Sequence, residues 1–460
     1  MVELNLNEIA ENTGGEILQG LPSVTFRTFN IDSRLSQPGE LFFALIAERD
    51  GHAYIPDATQ KGAAGAVISQ PVHPPSPNIA LIRVKDTLFA LQNLAANVLE
   101  THPAKVVGIT GSIGKTTTKE FAATLLHQSC DVLKSEGNYN NHIGVPLSIL
   151  KIQQKNEIIV LEMGMSLPGE IHRLTQIAPP DIAVITNIHP VHLEFFNSVG
   201  EIALAKKEIL DGMNPEGTAV LNGDDPAVQK ISSDWKGAKI LFGLSRNNDI
   251  RAENIERIGF QGIRFNLIYG KTKKRTEIPF IYKSFLYNYL AASAVAYALS
   301  TPLSNILAQT KNLKPFPMRG EIHRLPGDVI LIDDSYNSNP AALESALKDL
   351  SEIKTKRKVA VLGDMLELGA TQVSYHREAG KRTKQYEWDV LITVGPLSRH
   401  MAAGAQEAGM NNARIISFET SDEAANQVAS LIEPGDLVLV KGSRGIRTDK
   451  IVESLKKRRA

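Results

Sequence analysis

Short apolar runs alternate along most of this 460-residue chain with longer segments in which apolar residues recur at helical spacing. From residue 105 onward the short runs have the length of strands, and segments such as 119–126 between them have the helical pattern. Such alternation with short connections predicts a doubly wound, largely parallel sheet. Its predicted strands are residues 105–110, 157–162, 181–187, 219–222 and 239–242.

The pattern changes twice after this sheet. Residues 251–281 alternate with period two around a charged turn at 271–275, which predicts a β-hairpin insert. The proline-containing segment 312–317 predicts a boundary, and beyond it lies a second alternating unit, Rossmann-like but without a G-x-G-x-x-G fingerprint. The strands predicted for this unit are residues 329–332, 358–362, 390–394, 414–418 and 437–440.

The predicted fold class is therefore α/β, organised as three domains. Residues 1–86 are expected to form a compact N-terminal α/β domain, because short apolar runs there alternate with turn residues. Residues 87–313 are expected to form a central domain around the parallel sheet. Residues 314–460 are expected to form a C-terminal, Rossmann-like domain.

Composition narrows the functional classes. Fifty Lys and Arg residues balance fifty Asp and Glu residues, which argues against a general nucleic-acid-binding role. The single cysteine, Cys130, excludes an intramolecular disulfide framework and a cysteine metal cluster. The N-terminus lacks the features of a signal peptide, and polar residues interrupt the apolar stretch 286–303. We therefore expect a cytosolic protein without a membrane span.

The strongest chemical signal is a glycine-rich turn between a predicted strand and a predicted helix. Its sequence is Gly111-Ser112-Ile113-Gly114-Lys115-Thr116-Thr117. Glycines let backbone N–H groups approach phosphate oxygens, Lys115 can reach the β- and γ-phosphates, and the Thr116 hydroxyl can ligate Mg²⁺. The glycines are Gly108 and Gly111, whereas the usual spacing would place the first at Ile109. We interpret the turn as a variant phosphate-binding loop in a central P-loop-type ATPase domain; the alternative is an ordinary glycine-rich turn.

Polar residues follow two further strands of the central domain. Glu162 ends one strand, where a carboxylate suits a Mg²⁺ ligand opposite Thr116 or, alternatively, an ion pair or cap. His189 and His192 follow the next strand and suit a second cation, although loop histidines are also commonly solvated. Lys206, on the following helix, belongs to a solvated face when its sequence is considered alone.

The C-terminal unit has a comparable strand end. Residues 329–332 lead into Asp333 and Asp334, two adjacent carboxylates that repel each other at the end of a buried strand. Asn339 suits a helix N-cap, so part of this segment is structural. Arg319, upstream, is available to pair with the acids or with a nucleotide phosphate.

Several segments, in the right order, resemble the Mur ligase family, and the resemblance covers nearly the whole chain. The acidic pair and residues 362–369 are similar to the member that accepts a D-alanyl-D-alanine dipeptide, and residues 32–34 and 50–52 resemble the N-terminal uridine-nucleotide domain of that family. The matching segments of the central domain are residues 111–117, 137–146, 162–164, 186–194 and 205–209.

The resemblance implies a role for each matching residue. Lys115 and Thr116 would hold the γ-phosphate of ATP and a first Mg²⁺, Glu162 would ligate that metal, and His192 a second. Lys206 would be carbamylated and would serve the second metal. Asn288 would contact adenine, and Arg319 and Asp334 would be ATP contacts from the C-terminal domain. The residues implied in substrate binding are Ser33, Arg34, Asn141 and Asn337.

The resemblance implies an ATP-dependent amide ligase that joins UDP-MurNAc-tripeptide to D-Ala-D-Ala, with ATP and Mg²⁺, as a monomer. Lys441 and Arg444 are candidates for binding the dipeptide carboxylate. Three alternatives stay open: a diamino-acid-adding or folylpolyglutamate-like ligase, a nucleotide-switch NTPase that makes no bond, and a binding protein without catalysis.

Overall fold

The computed structural model describes residues 2–191, 193–196 and 198–458, and within these the strands form four sheets. The N-terminal part contains a five-stranded sheet in the order β2-β7-β6-β5-β4 and a two-stranded antiparallel pair of β1 and β3. Its elements are β1 Leu4–Asn5, α1 Leu6–Thr13, β2 Glu16–Gln19, β3 Thr25–Phe26, β4 Phe29–Asn30, β5 Leu41–Phe43, α2 Ile55–Gln60, β6 Gly65–Ile68 and β7 Ala80–Arg83.

The central part is built on a nine-stranded sheet in the order β16-β15-β14-β13-β12-β11-β8-β10-β9. Strands β8 to β14 pair in parallel, and β14, β15 and β16 are antiparallel. Its elements are α3 Thr87–Glu100, β8 Lys105–Thr110, α4 Lys115–Leu126, β9 Val132–Lys134, α5 Gly144–Ile149, β10 Ile158–Glu162, α6 Glu170–Ile177, β11 Ile182–Ile185, α7 Val199–Asp211, β12 Thr218–Asn222, α8 Pro226–Ile231, β13 Ala238–Gly243, β14 Ile250–Arg257, β15 Ile263–Tyr269, β16 Thr272–Ile278, α9 Lys283–Ala298 and α10 Leu303–Thr310.

The C-terminal part is a six-stranded sheet in the order β17-β18-β22-β19-β20-β21, parallel except for β17. The parallel strands confirm the α/β, Rossmann-like interpretation of this unit. Its elements are β17 Glu321–Leu325, β18 Val329–Asp334, α11 Pro340–Ser351, β19 Arg357–Gly363, α12 Gln372–Gln385, β20 Val390–Val394, α13 Arg399–Glu407, β21 Ile415–Phe418, α14 Ser421–Leu431, β22 Asp436–Lys441 and α15 Asp449–Arg458.

The period of two in the central strands gives each sheet face its own core. In β8, Val107 and Ile109 pack into one core with α4 and α9, and Val106 packs into the other core, which continues into the N-terminal sheet. The first of these cores also continues into the C-terminal part, because Leu343 and Leu347 of α11 belong to it. The apolar stretch that the sequence predicts to be a buried helix is α9 and the turn that follows it.

The predicted hairpin is present, but its turn lies earlier than expected. Gly270, at φ +60°, and Lys271 make the turn between β15 and β16, and the charged residues 273–275 lie in β16 itself. A left-handed residue suits glycine, so the chain reverses at Gly270 and the lysines and arginine project from an exposed strand.

A cluster of polar contacts joins the central and C-terminal parts. Arg257 of β14 donates from Nη1 to Asp349 O at 2.7 Å, and its Nη2 pairs with the Asp349 carboxylate. Asp349 Oδ2 also accepts from Lys283 N at 2.8 Å, at the start of α9, and Glu352 lies 3.0 Å from Arg257 Nε. Arg257, Lys283, Asp349 and Glu352 form an interdomain clasp. Asp349 at its centre is 4% exposed, Arg257 is half-buried, and Lys283 and Glu352 are exposed.

Candidate active site

The glycine-rich turn lies between β8 and α4, and its glycines occupy positions that side chains would obstruct. Gly111 has φ +145° and Gly114 has φ +85°. A Cβ at Gly111 would collide with Thr186 Oγ1, and a Cβ at Gly114 would collide with Asn288 Oδ1. The two glycines therefore let the loop pass close to the end of β11 and to α9, with its backbone N–H groups at the start of α4.

Residues that follow β11 fasten this loop. Asn187 Oδ1 accepts from Ile113 N at 2.9 Å, and Thr186 Oγ1 donates to Ile113 O at 2.7 Å. Ser112 Oγ donates to His189 O and accepts from His189 N, at 3.0 and 2.9 Å. Residues at a second strand end thus hold the backbone of Ile113 and the side chain of Ser112, which fixes this part of the loop before any ligand binds.

Lys115 and Thr116 begin helix α4 at the base of this loop. Lys115 Nζ donates to Gly111 O at 2.7 Å, so its ammonium lies across the loop. Burial lowers the pKa of Lys115, and the nearby Glu162 carboxylate opposes that shift. Thr116 Oγ1 accepts from Nη2 of Arg319 at 3.4 Å, a contact that joins the loop to the C-terminal part.

Glu162 ends strand β10 and is 3% exposed. Its Oε1 accepts from Asn140 Nδ2 at 2.9 Å, whereas Oε2 is buried without a hydrogen-bond partner. A buried carboxylate oxygen in that condition is costly unless a cation satisfies it. Together with the Thr116 hydroxyl, it is an oxygen donor of the kind that Mg²⁺ prefers, so these residues fit a Mg²⁺ ion.

The opposite wall consists of strand ends from the C-terminal sheet. The guanidinium carbon of Arg319 lies 4.1 Å from the centre of the Tyr336 ring, a cation–π contact. Asp334 Oδ2 lies 2.7 Å from Lys441 Nζ, which also donates to Asn337 O at 3.0 Å. Burial raises the pKa of Asp334, and Lys441 opposes that rise. Lys441 is therefore engaged with Asp334 and does not present a free cation.

These two walls enclose a cleft of about 1110 Å³. The cleft brings together most of the residues that the sequence predicts for the site, from both the central and the C-terminal parts. The predicted residues that line it are Ser112, Ile113, Gly114, Lys115, Thr116, Thr117, Asn141, Glu162, Asn288, Arg319, Asp334 and Asn337.

The remaining predicted residues lie elsewhere. Ser33 and Arg34 follow β4 in the N-terminal part, where Ser33 is buried and Arg34 pairs with Asp32 at 2.6 Å. Ser33, Arg34 and Gly111 do not line the cleft. His192 lies outside the described residues.

Lys206 also lies behind the cleft lining, in α7, and it is not solvated. It is 2% exposed, and burial together with the charge of Lys115 lowers its pKa well below the ordinary value. Lys207 differs, because its Nζ reaches Asp234 at 2.6 Å on the exposed side of the helix. The prediction of a solvated face is wrong for Lys206, since α7 packs that side of the helix into the core.

Three positions near the site escaped the sequence analysis. Asn140 touches Glu162, as described above. Lys119 is 0% exposed, and its Nζ donates to Ser135 O at 2.6 Å and to Gly137 O at 3.1 Å. Tyr287 donates from its hydroxyl to Asp224 Oδ2 at 2.9 Å, where α9 meets β12. The signal for Asn140 and Lys119 was their place in or beside matching segments; Tyr287 had none.

Asn141 has a structural task in addition to its position in the cleft. Its Oδ1 accepts from Gly144 N at 2.9 Å and from Ile143 N at 3.1 Å, so the side chain holds the start of α5. The substitution of Asn141 would therefore change the backbone of the cleft as well as its surface.

A fastened phosphate-type loop on a parallel sheet, closed by charged strand ends of a second sheet, defines a nucleotide-dependent P-loop enzyme with a shared interdomain cleft. Comparison with known proteins shows the family of this enzyme. The model of the Mur ligase middle domain matches residues 109–296, and that of the Mur ligase, glutamate ligase domain matches residues 318–444. The chain belongs to the Mur ligase family.

Individual relatives are similar to this chain over its full length or nearly so. The chain is 33% identical over 458 residues to UDP-N-acetylmuramoyl-tripeptide–D-alanyl-D-alanine ligase of Bacillus subtilis (strain 168), covering 99% of each chain. It superposes on a crystal structure of MurF from Acinetobacter baumannii with a TM-score of 0.91, at 28% identity and 99% coverage of each chain. MurF ligase from Thermotoga maritima in complex with ADP gives a TM-score of 0.83 at 30% identity, covering 94% of this chain and 97% of that one.

Within the described residues no helix combines the length and the apolar character needed to cross a membrane.

Proposed function

We propose that this protein joins D-alanyl-D-alanine to UDP-N-acetylmuramoyl-tripeptide, with hydrolysis of ATP, in peptidoglycan precursor synthesis. The full-length similarity to ligases of that name supports the choice of substrates. The observation that carries the chemistry is the 3.4 Å contact between Arg319 and Thr116. This contact brings the phosphate loop and the charged strand ends of the C-terminal part into one cleft. A reaction between a nucleotide and two further substrates requires such a shared cleft.

In the proposed reaction, the terminal carboxylate of the tripeptide attacks the γ-phosphorus of ATP, and the bond from that phosphorus to ADP breaks. The amino group of the dipeptide attacks the carbon of the resulting acyl phosphate. Phosphate leaves as the amide bond forms, and the amine loses a proton. Such transfers depend mainly on positioning and on neutralising charge at the phosphoryl group.

The residues of the two walls divide this work. The loop N–H groups and Lys115 cradle the phosphates, and Asn288, buried beside Gly114, contacts the adenine end. Arg319 brings a second cation to the phosphate from the other wall. Mg²⁺ held by Thr116 and Glu162 would neutralise further phosphate charge. Closure of the two walls excludes water, which would otherwise hydrolyse the acyl phosphate.

The other predicted residues serve the larger substrate in this proposal. Ser33 and Arg34 lie in the N-terminal part, a place suited to the uridine end, whereas Asn141 and Asn337 line the cleft. His192 is proposed as a ligand of a second Mg²⁺. The domain limits at residues 86/87 and 313/314, a monomeric state and a cytosolic location complete the proposal.

A carbamate on Lys206 is a further part of the proposal. Burial and Lys115 favour the neutral amine of Lys206, which is the form that attacks carbon dioxide. A bond forms between Nζ and the carbon, one proton is released, and the side chain becomes an anion. That anion would attract the Lys115 ammonium and would suit a second metal.

Substitution tests the carbamate. Lys206→Ala is expected to abolish activity, and a short carboxylate such as acetate should partly restore it. Lys207→Ala, which alters the neighbouring, half-buried lysine that pairs with Asp234, should remain active. In ¹³C-bicarbonate the native protein should give a carbamate carbon resonance that Lys206→Ala lacks. Activity in Lys206→Ala without added carboxylate, or the same resonance in both proteins, would contradict it.

Phosphate release from Mg²⁺-ATP tests the proposed function itself. Release should require both UDP-MurNAc-tripeptide and D-Ala-D-Ala, and mass spectrometry should find a pentapeptide product. Release with neither substrate would instead support a nucleotide-switch NTPase. Release only with a free amino acid as acceptor would keep the ligase chemistry but point to a diamino-acid-adding or folylpolyglutamate-like enzyme.

A further inference from the structure

The acceptor of the proposed reaction is a zwitterion, and its free carboxylate needs a cation in the part of the cleft away from ATP. Five Lys and Arg side chains line the cleft: Lys115, Lys283, Arg319, Lys441 and Arg444. Lys115 and Arg319 contact the phosphate loop, and Lys441 contacts Asp334 at 2.7 Å. Lys283 and Arg444 therefore remain as candidates.

Arg444 is the better placed of the two. It follows β22 in the C-terminal part, whereas Lys283 begins α9 beside the Asn288 end of the cleft, where the adenine is proposed to bind. The Arg444 side chain is 52% exposed. Among described residues its Nη1 makes two long contacts, to Met318 Sδ at 3.5 Å and to Asp449 Oδ2 at 3.8 Å. A guanidinium has five N–H donors, so most are available to a ligand.

The surroundings of Arg444 are held firmly and are partly apolar. Ser443 Oγ accepts from Leu366 N at 2.9 Å and donates to Ser338 O at 3.2 Å, which ties the segment to two neighbouring loops. Leu366 also lines the cleft and is 39% exposed, an apolar surface beside a cation. A carboxylate flanked by methyl groups, as in an alanine dipeptide, matches both features.

We propose that Arg444 binds the terminal carboxylate of the dipeptide and sets the specificity for a free acid at that end. This inference rests on the proposed function, since it assigns a residue to the second substrate of that reaction. It also separates the two candidates from the sequence, because Lys441 holds Asp334 and Arg444 holds the ligand.

Arg447 provides a matched control. It lies three residues further along, is 53% exposed and contacts the same Asp449 carboxylate at 3.2 Å, but it does not line the cleft. Arg444→Met and Arg447→Met remove equal charge from the same segment. Thermal unfolding of both variants should match that of the native protein, which would exclude a general loss of folding.

The experiment compares D-Ala-D-Ala with D-alanyl-D-alaninamide, whose terminal carboxylate is replaced by a neutral amide. Phosphate release is measured at saturating ATP and UDP-MurNAc-tripeptide, with the acceptor concentration varied, and gives kcat/KM for each acceptor. The native enzyme should prefer the acid by roughly tenfold or more, as expected for a charge-assisted, bidentate contact. Arg444→Met should lose that preference through a higher KM for the acid, with the amide unaffected, and Arg444→Lys should keep part of it.

Each other outcome is informative. Retention of the preference in Arg444→Met would overturn the proposal, as would an equal loss for both acceptors, which indicates a structural role. Loss of the preference in Lys283→Met, but not in Arg444→Met, would assign the carboxylate to Lys283. A native enzyme that uses neither acceptor would contradict the proposed function itself, and this inference with it; the amide comparison separates that failure from the others.

Discussion

The wall of the cleft on the central sheet and the wall on the C-terminal sheet are held by different kinds of contact. Loop 111–117 is fastened by short hydrogen bonds to residues 186–189, all within the central part. The opposite wall depends on charged side chains, namely the Asp334–Lys441 pair and Arg319 above Tyr336. Its connection to the loop is the long contact from Arg319 to Thr116.

This difference suggests that the two walls have different roles in the enzyme. A loop fixed by its own domain can bind phosphate without rearrangement. Its N–H groups and Lys115 are then already placed to stabilise the negative charge that develops during phosphoryl transfer. The C-terminal wall meets the loop through the long contact between Arg319 and Thr116. Because that contact is weak, this wall can move away from the loop and return with the C-terminal part. We therefore expect substitutions in the loop to reduce chemistry, and substitutions at the clasp and the C-terminal wall to change closure.

The largest effect is expected in the fixed wall. Lys115→Ala should lower kcat by on the order of a thousandfold or more, because the cation that neutralises the transferring phosphoryl group is lost. Phosphate release at saturating substrates measures it. Lys155→Ala, which alters an exposed lysine, is the control. Near-native turnover in Lys115→Ala would show that the loop does not have the role assigned to it.

An intermediate effect is expected at the clasp. Arg257→Met should leave the Asp349 carboxylate buried without its main partner, a change that commonly costs about 3–5 kcal/mol. The closed arrangement should become less populated, so kcat should fall roughly tenfold, equal to about 1.4 kcal/mol in the barrier. Small-angle scattering should show a larger radius of gyration.

Arg264→Met is the control for the clasp, because Arg264 pairs with Glu277 within the hairpin and not with the C-terminal part. If the native protein and Arg257→Met give the same scattering curve and the same kcat, the clasp does not govern closure. A loss of folding in Arg257→Met would be recognised by its melting curve, and Asp349→Asn would then replace it.

The smallest effect concerns a histidine behind the C-terminal wall. His376 Nε2 accepts from Met365 N at 3.0 Å, and Nδ1 lies 2.7 Å from Gln372 O, an arrangement that requires the neutral ring. Burial lowers the pKa of His376, Gln372 O and Asp364 oppose that shift, and His400 adds to it. Unfolded chains therefore bind a proton at His376 at a higher pH than the folded protein does.

Stability should consequently fall as the pH drops from the ordinary histidine value, 6.5, through the lower pKa of the folded state. Above 6.5 the contribution of His376 is fully present. Urea unfolding at several pH values should show this slope, and His376→Gln should reduce it. An unchanged slope in His376→Gln would assign the pH dependence to other groups.

The sequence predicted the periodic parts of the fold well, because their pattern of apolar residues depends on neighbours in the chain. Strand β17 was missed, since Glu321, His323 and Arg324 give it no apolar alternation and its pairing with β18 is decided in three dimensions. The hairpin turn was placed on charged residues, although the left-handed conformation that glycine allows decided its position.

The acidic residues of the candidate site could be predicted from the sequence because they lie at the ends of strands. Glu162 and Asp334 were identified because each ends a buried strand of its own sheet, and ligands of open α/β sheets bind at the carboxyl ends of strands. The burial of Lys206 could not be inferred from the local pattern, since it depends on which face of α7 meets the core. Lys119 donates to two backbone carbonyls on another segment, Ser135 O and Gly137 O, and these contacts leave no trace in the side-chain sequence.

The exposed strand β16 has a consequence beyond the cleft. It is the outer strand of the nine-stranded sheet, and one of its sides has no neighbouring strand among the described residues. Such an edge invites pairing with the sheet of another molecule, and charged side chains, especially lysine, are among the features that prevent it. Lys273, Lys274 and Arg275 lie on this strand, and Glu253 and Glu256 pair with the first and the last of them. Two copies meeting edge to edge would have to remove water from these charged side chains, which disfavours the pairing. The same residues that terminate the sheet thereby protect the protein from aggregation.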